Sequence, residues 1–296
     1  MNKGLFILIT LTACFCACSK DDSQQEDPAP VRKISIEVVE NPMVMDGDRA
    51  TSSTRGSAIT TSTLTAFSMN YGEDVFSVSK SGDTWITDPP YWPEDDYEKK
   101  IVFYAYKAGS KDIFYDDNQY ISFEVDELVS AQIDLLVATD TVSYNDAQGT
   151  VSLTFDHACA AVDFQLCISN TLWTNLGRNN LTINSVVLTN VMNKGKYYYS
   201  TGWDDVKGSA SYTLTTSSSF GLGTELYPLN NNDLNNIGSL FMIPQTLGAE
   251  TGLRIQYTVG GIQKQTFISM SGHTWEPGVQ YTEKIKLGTG QINLQL

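Results

Sequence analysis

At 296 residues the chain has room for two domains of ordinary size, each able to bury a core without staples. Its formal net charge of -15, with no run of Lys or Arg, excludes a basic surface for nucleic acid or anionic lipid headgroups. It has 15 tyrosines, abundant Thr and Ser, and no long helix-period run, so the composition predicts an all-β protein.

Lys3 precedes an apolar run from Gly4 to Ala17 that has signal-peptide length and is too short to span a bilayer. Residues 1–17 therefore read as an export signal, and a cysteine closing such a run is the acceptor for diacylglycerol in lipoproteins. Cys18 is followed by Ser19-Lys20-Asp21-Asp22. That stretch resembles the start of mature lipoproteins of the Bacteroidota, in which acidic residues behind the lipidated cysteine accompany transfer to the outer face of the outer membrane. Cys18 is the assigned site of lipidation. Leu11-Thr12-Ala13-Cys14 fits the general lipobox, so Cys14 is the alternative. Residues 18–30 are polar and end in proline, which makes them a tether.

The first strand is predicted in KISIEVVE, where Ile34, Ile36 and Val38 face one way and Lys33, Ser35 and Glu37 the other. Residues 46–62 lack periodicity and are small and polar, so they form an exposed loop. Strands follow in LTAFSMNY, DVFSVSK, KIVFYAYK, YISFEVD and IDLLVATD, separated by turn residues, which is the spacing of a β-sandwich. A new rhythm begins after SYNDAQG. The chain is accordingly divided into an N-terminal sandwich domain at 31–146 and a C-terminal one at 147–296. The second half offers Val151, Leu153 and Phe155 in alternation, then HACAAVDFQLCI, LTINSVVLT, GKYYYS, SYTLTT, SLFMIPQ, GLRIQYTV, QTFISM, QYTEKIKL and QINLQL.

Read as one strand, HACAAVDFQLCI puts Cys159 and Cys167 roughly 26 Å apart, beyond disulfide reach, so both are expected as free thiols. The sequence carries no zinc-type Cys/His spacing, G-x-S-x-G, phosphate loop or HExxH, and so implies no metal, no cofactor and no enzyme. His157 and His273 are far apart and each reads as structural. Asp95-Asp96, Asp116-Asp117 and Asp204-Asp205 read as solvated turns rather than a hydrolytic carboxylate pair. Trp85, Tyr91 and Trp92 with Pro89, Pro90 and Pro93 fit either an aromatic platform for sugars or a rigid turn with core-capping rings, the latter being expected.

Several segments, in order, resemble the Bacteroidota fimbrillin family. They are TRG at 54–56, WITDPPYWP at 85–93, FYAY at 103–106, DLLVAT at 134–139, LTFDHA at 153–158, FMIPQ at 241–245 and W-x-P-G-x-x-Y from Trp275 to Tyr281. The resemblance implies two tandem transthyretin-like β-sandwich domains and a type V pilin-like role: a surface lipoprotein of the outer membrane and its fimbriae, partnered by other fimbrial subunits. In polymerising fimbrillins an arginine-specific protease cuts the loop behind the first strand, that strand leaves, and a strand of another subunit fills the groove. The resemblance places the cut after Arg55, with Arg49 as the alternative, and makes Ile34, Ile36 and Val38 the displaced side chains. Ile292, Leu294 and Leu296 repeat the apolar spacing of the first strand, so the C-terminal segment is a candidate donor; pairing within its own domain is the competing reading. The alternative function is a monomeric surface lipoprotein that binds a glycan or a host protein.

Overall fold

A computed structural model describes residues 32–46, 64–109, 111–115, 117, 119–168, 181–216, 235–259, 261–287 and 293–295. All of these belong to one unit that begins at Arg32. The strands, in chain order, are β1 (Ser35–Glu40), β2 (Val44–Met45), β3 (Ala66–Tyr71), β4 (Asp74–Ser81), β5 (Thr84–Asp88), β6 (Ile101–Lys107), β7 (Ile113–Tyr115), β8 (Tyr120–Glu124) and β9 (Leu136–Val142). A single helical turn, α1 (Tyr144–Ala147), leads into β10 (Thr150–His157), β11 (Ala160–Ile168), β12 (Leu181–Val191), β13 (Lys194–Tyr198), β14 (Gly202–Lys207) and β15 (Ala210–Thr216). The chain continues through β16 (Asn235–Met242), β17 (Gln245–Thr246), β18 (Gly252–Val259), β19 (Ile262–Ser269), β20 (Thr274–Trp275), β21 (Val279–Leu287) and β22 (Asn293–Gln295). The protein is all-β, as the composition predicts.

Two hydrophobic cores organise these strands. The first lies against a seven-stranded sheet of order β1-β10-β9-β6-β3-β4-β5 and contains Ile36, Phe67, Met69, Phe76, Phe103 and Phe155. This sheet curls until its two ends meet. Lys33 and Tyr91 form an isolated antiparallel bridge, and the Trp92 amide donates to the Arg32 carbonyl at 2.9 Å. The second core gathers Phe164, Leu188, Tyr212, Ile255 and Trp275 between three sheets, of orders β16-β11-β21-β2, β15-β12-β18-β19 and β14-β13-β8-β7.

Residue 147 ends α1, and strands from either side of it interleave. β10 joins the first sheet through β9 and β1, while β8 pairs antiparallel with β13 and sends Ile121 and Phe123 into the second core. β9 and the residue before it serve both cores because successive side chains alternate in face: Leu136 and Ala138 belong to the first core, Leu135 and Val137 to the second.

Some expectations change. HACAAVDFQLCI is two strands, since β10 ends at His157 and β11 starts at Ala160 in a different sheet. The single-strand separation of the two cysteines therefore does not apply. Cys159 is a buried free thiol at that crossing. Asp204 and Asp205 lie in β14 rather than a turn; Asp205 has φ +51° and sits where the pairing with β13 slips register, so a bulge satisfies the local bend. Trp92 is buried against Phe103, and Trp85 packs on Phe67, so these rings cap the first core.

Candidate functional site

The predicted displaced strand is an edge strand with an inward apolar face. Ile34 and Ile36 are buried, Val38 packs against the first core from a half-buried position, and Lys33, Ser35 and Glu37 are exposed. β1 runs parallel to β10, with Ile36 opposite Val151 and Val38 opposite Leu153. Alternation alone produces this, because a period of two sends every second side chain to one face.

The strand does not stop at this sheet. Asn41 donates its amide to the Phe155 carbonyl at 2.9 Å and its side-chain amide to Asp156 Oδ1 at 2.7 Å, closing the last turn of β1 onto β10. Met43 is buried. The chain then crosses to the second core, where β2 pairs parallel with the start of β21. The Val44 amide donates to the Gly278 carbonyl, and that of Asp46 to the Gln280 carbonyl, both at 2.8 Å. Residues 32–46 are thus a single edge segment that packs its side chains on the first core, pairs its backbone with both sheets and leads directly into residue 47. Arg49 and Arg55, the predicted cleavage positions, follow at once and lie outside the described residues.

The same flank of β21 carries the other end of the chain. β11 pairs with β21 along one edge, from Gln280 to Leu287, so β2 at Val279–Gln280 and β22 at Lys284–Lys286 share the opposite edge. Leu294 stands opposite Ile285 in an antiparallel pair. The C-terminal segment therefore pairs within its own sheet in this structure. Ile292 and Leu296 lie outside the described residues, as do Cys14 and Cys18.

Where β1 ends, a buried clasp holds the crossing. His157, the last residue of β10, hydrogen-bonds Asp134 through Nδ1, and neither side chain is more than 7% exposed. The pair forms because β9 and β10 are antiparallel with Leu136 opposite His157, which brings the residue two before Leu136 alongside the ring. The imidazole also hydrogen-bonds the Asn41 backbone, the first residue past β1. Burial alone would lower the histidine's pKa, but the hydrogen bond to Asp134 and its charge outweigh it, so the imidazole is held above its ordinary value. Burial raises the Asp134 carboxyl as well, with His157 opposing, and Asp134 Oδ1 has no partner.

Cys159 lies beside this pair, so a Cys, a His and an Asp converge. The sequence marks His157 alone, because its meeting with Asp134 and Cys159 depends on strand register. The geometry is that of a clasp rather than a nucleophile. Burial and the Asp134 charge push the thiol pKa well up, whereas an attacking cysteine needs it lowered to form thiolate. His273 pairs separately with Glu283 at 3.3 Å, beside Trp275. Among the described residues no group of three or more His, Cys, Asp or Glu is placed to hold a metal ion.

A family model described as Fimbrillin-like matches residues 47–296, beginning where the edge segment ends. No curated protein matches the chain. Among solved structures, a fimbrial protein from Bacteroides vulgatus superposes with a TM-score of 0.54 at 16% identity, covering 89% of this chain and 98% of that one. A candidate cell adhesion protein from Bacteroides ovatus gives a TM-score of 0.52 at 14% identity over 90% of this chain and 95% of the other. A third, from Bacteroides uniformis and described in the same way, gives 0.51 at 16% identity over 89% and 95%. At such identities these likenesses establish a shared fold.

Proposed function

The chain belongs to the fimbrillin-like family, and from that premise we propose that it is a surface-anchored fimbrial subunit or pilus accessory protein that supports adhesion and joins its neighbours by proteolysis-triggered strand exchange. The observation that carries the reading is the edge segment 32–46, which contributes its inward side chains to one core, its backbone pairing to both sheets, and its end to an arginine-bearing stretch. Cutting after Arg55, or after Arg49, turns this intramolecular strand into a dissociable peptide. Its loss uncovers the flank of β10 and the start of β21, an apolar groove with unpaired backbone groups that an extended strand satisfies by β-addition. The C-terminal segment of Ile292, Leu294 and Leu296 is the proposed donor to a neighbouring subunit, leaving its place on β21.

Lipid on Cys18, or on Cys14, tethers the precursor to the outer membrane through residues 18–30. The adhesive target is a host or bacterial surface ligand. A second reading, a monomeric surface lipoprotein that binds a glycan or host protein, draws on one face. Tyr115, Tyr120 and Tyr198 lie in a row across β7, β8 and β13, beside a groove lined by Lys111, Lys194, Lys196 and Lys207 together with Glu124 and Asp205.

Limited trypsin treatment of the soluble, unlipidated precursor separates the two. The fimbrial reading expects cutting at Arg55, release of the fragment carrying Ile34, Ile36 and Val38, and capture of an added strand. A cut protein that keeps its fragment indefinitely and captures nothing favours the monomeric reading.

A further inference from the structure

Arg32, two residues before Ile34, sits in an aromatic cage. Its guanidinium carbon is 3.9 Å from the centroid of the Tyr97 ring and 4.6 Å from that of Tyr144, and Nη1 donates to Asn145 Oδ1 at 3.0 Å. Asn145 in turn donates its side-chain amide to Glu98, which fixes the orientation of its acceptor oxygen and adds a negative charge behind the cation. None of the cage belongs to β1. Tyr144 opens α1, where Ser143 caps the turn by accepting from the Asp146 amide. The Asn145 amide donates to the Tyr97 carbonyl at 3.0 Å, pinning the two tyrosines together. Their rings pack at 5.2 Å, and Trp92 meets Tyr144 edge to face at 5.5 Å before touching Phe103 of the first core. Gly149 completes the seat. With φ +80° and a would-be Cβ at 2.7 Å from the Tyr144 ring and 2.8 Å from the Lys33 carbonyl, no larger residue leaves room there.

When β1 leaves, Arg32 leaves with it, and the rings, Asn145 and Glu98 stay. We propose that this vacated cage is a specificity pocket for the incoming strand, which must carry an arginine two residues before the first of its inward apolar side chains. Two stacked faces and an oriented acceptor recognise a planar cation, and an uncharged residue leaves Asn145 and the ring faces without it. The inference rests on the strand-exchange reading and adds a restriction to it: the donor for this groove comes from a different subunit. Residues 287–296 contain no Lys or Arg, and aligning Ile292, Leu294 or Leu296 with Ile34 puts Gly290, Ile292 or Leu294 at the cage. The C-terminal segment of this chain is thereby assigned to an acceptor without such a cage, so assembly through this subunit is heterotypic in its acceptor half.

The test uses the soluble chain cut after Arg55 with its own fragment still bound. Labelled peptides compete for the groove: one with the sequence of residues 31–41, the same with Arg32→Gln, the same with Arg32→Lys, and one with the sequence of residues 287–296. The parent peptide is expected to exchange in, the Arg32→Gln peptide to bind about 5- to 30-fold more weakly, the Lys peptide to fall between, and the C-terminal peptide to bind no better than the Gln form. In a Tyr97→Leu chain the difference between Arg and Gln peptides is expected to collapse while the Gln peptide binds as before, a double-mutant cycle on the cage alone. Equal binding of the Arg and Gln peptides to the unaltered chain overturns the cage and leaves strand exchange standing. Failure of the parent peptide to exchange overturns strand exchange and the cage together.

Discussion

Replacing His157 by Gln removes the cationic half of a clasp that water does not reach. Both side chains are at least nine-tenths buried, and Asp134 already has one oxygen without a partner, so the variant leaves a carboxyl with weakened compensation. Removing one member of a buried pair costs on the order of 3–5 kcal/mol. Uptake of a proton by Asp134 limits the loss, which points to the lower end. The pH dependence has a definite sign. His157 has a pKa raised in the folded state, so its contribution is full below the unfolded value near 6.5 and fades as pH rises through the higher folded value. Asp134 is raised too, so its ionisation in the fold also opposes stability as pH increases. The two effects point the same way. Urea denaturation should therefore show the parent's stability falling from ~pH 6 to ~pH 9; in His157→Gln the His157 share of that fall is gone, while the Asp134 share steepens because the partner that lowered its pKa is lost. Because the ring also holds the Asn41 backbone, the cut variant should shed its first strand faster than the cut parent. A penalty below about 1 kcal/mol at ~pH 6 refutes the charged clasp.

Other substitutions probe the seat of the edge segment and its delivery. Ile36→Ala empties a buried position of the first core and should cost about 2–4 kcal/mol in urea denaturation, while accelerating strand loss after cutting. Gly149→Ala forces a Cβ onto Tyr144 and the Lys33 carbonyl at positive φ, and should lower stability by about 2–3 kcal/mol in a thermal melt. Cys18→Ala should abolish acyl labelling in cells; labelling that survives it but not Cys14→Ala moves the anchor to Cys14.

Much of this was legible in the sequence where periodicity speaks directly. The alternation of Ile34, Ile36 and Val38 sets the buried face of β1, and the ordered motifs from TRG to W-x-P-G-x-x-Y carry the family. Pairing is another matter. β2 is two residues long and follows Pro42, so Val44 and Met45 give no period to detect; its strand character comes from the Gly278 and Gln280 carbonyls. The break between β10 and β11 is hidden because His157, Ala158, Cys159 and Ala160 are all buried, and an apolar run does not mark where a chain changes sheets. α1 has a local signal in Ser143-Tyr144-Asn145-Asp146, a cap followed three residues later by an acid, but at four residues it is too short to show a helical period. The Asp134–His157 clasp and the Arg32 cage join residues distant in sequence, and only the strand register and the curl of the first sheet bring them together.

Strand exchange requires that the edge segment be removed when the subunit is assembled. N-terminal sequencing of the mature chain, recovered from cells and from isolated fimbriae, reads this without assumption about the donor or the protease. The chain in fimbriae is expected to begin at Gly56, or at Ala50 if Arg49 is the site, together with a lipidated precursor that begins at Cys18. A fimbrial chain that still carries residues 32–46, or a chain found only as the uncut lipoprotein, contradicts strand exchange and makes the protein a monomeric binding module at the surface.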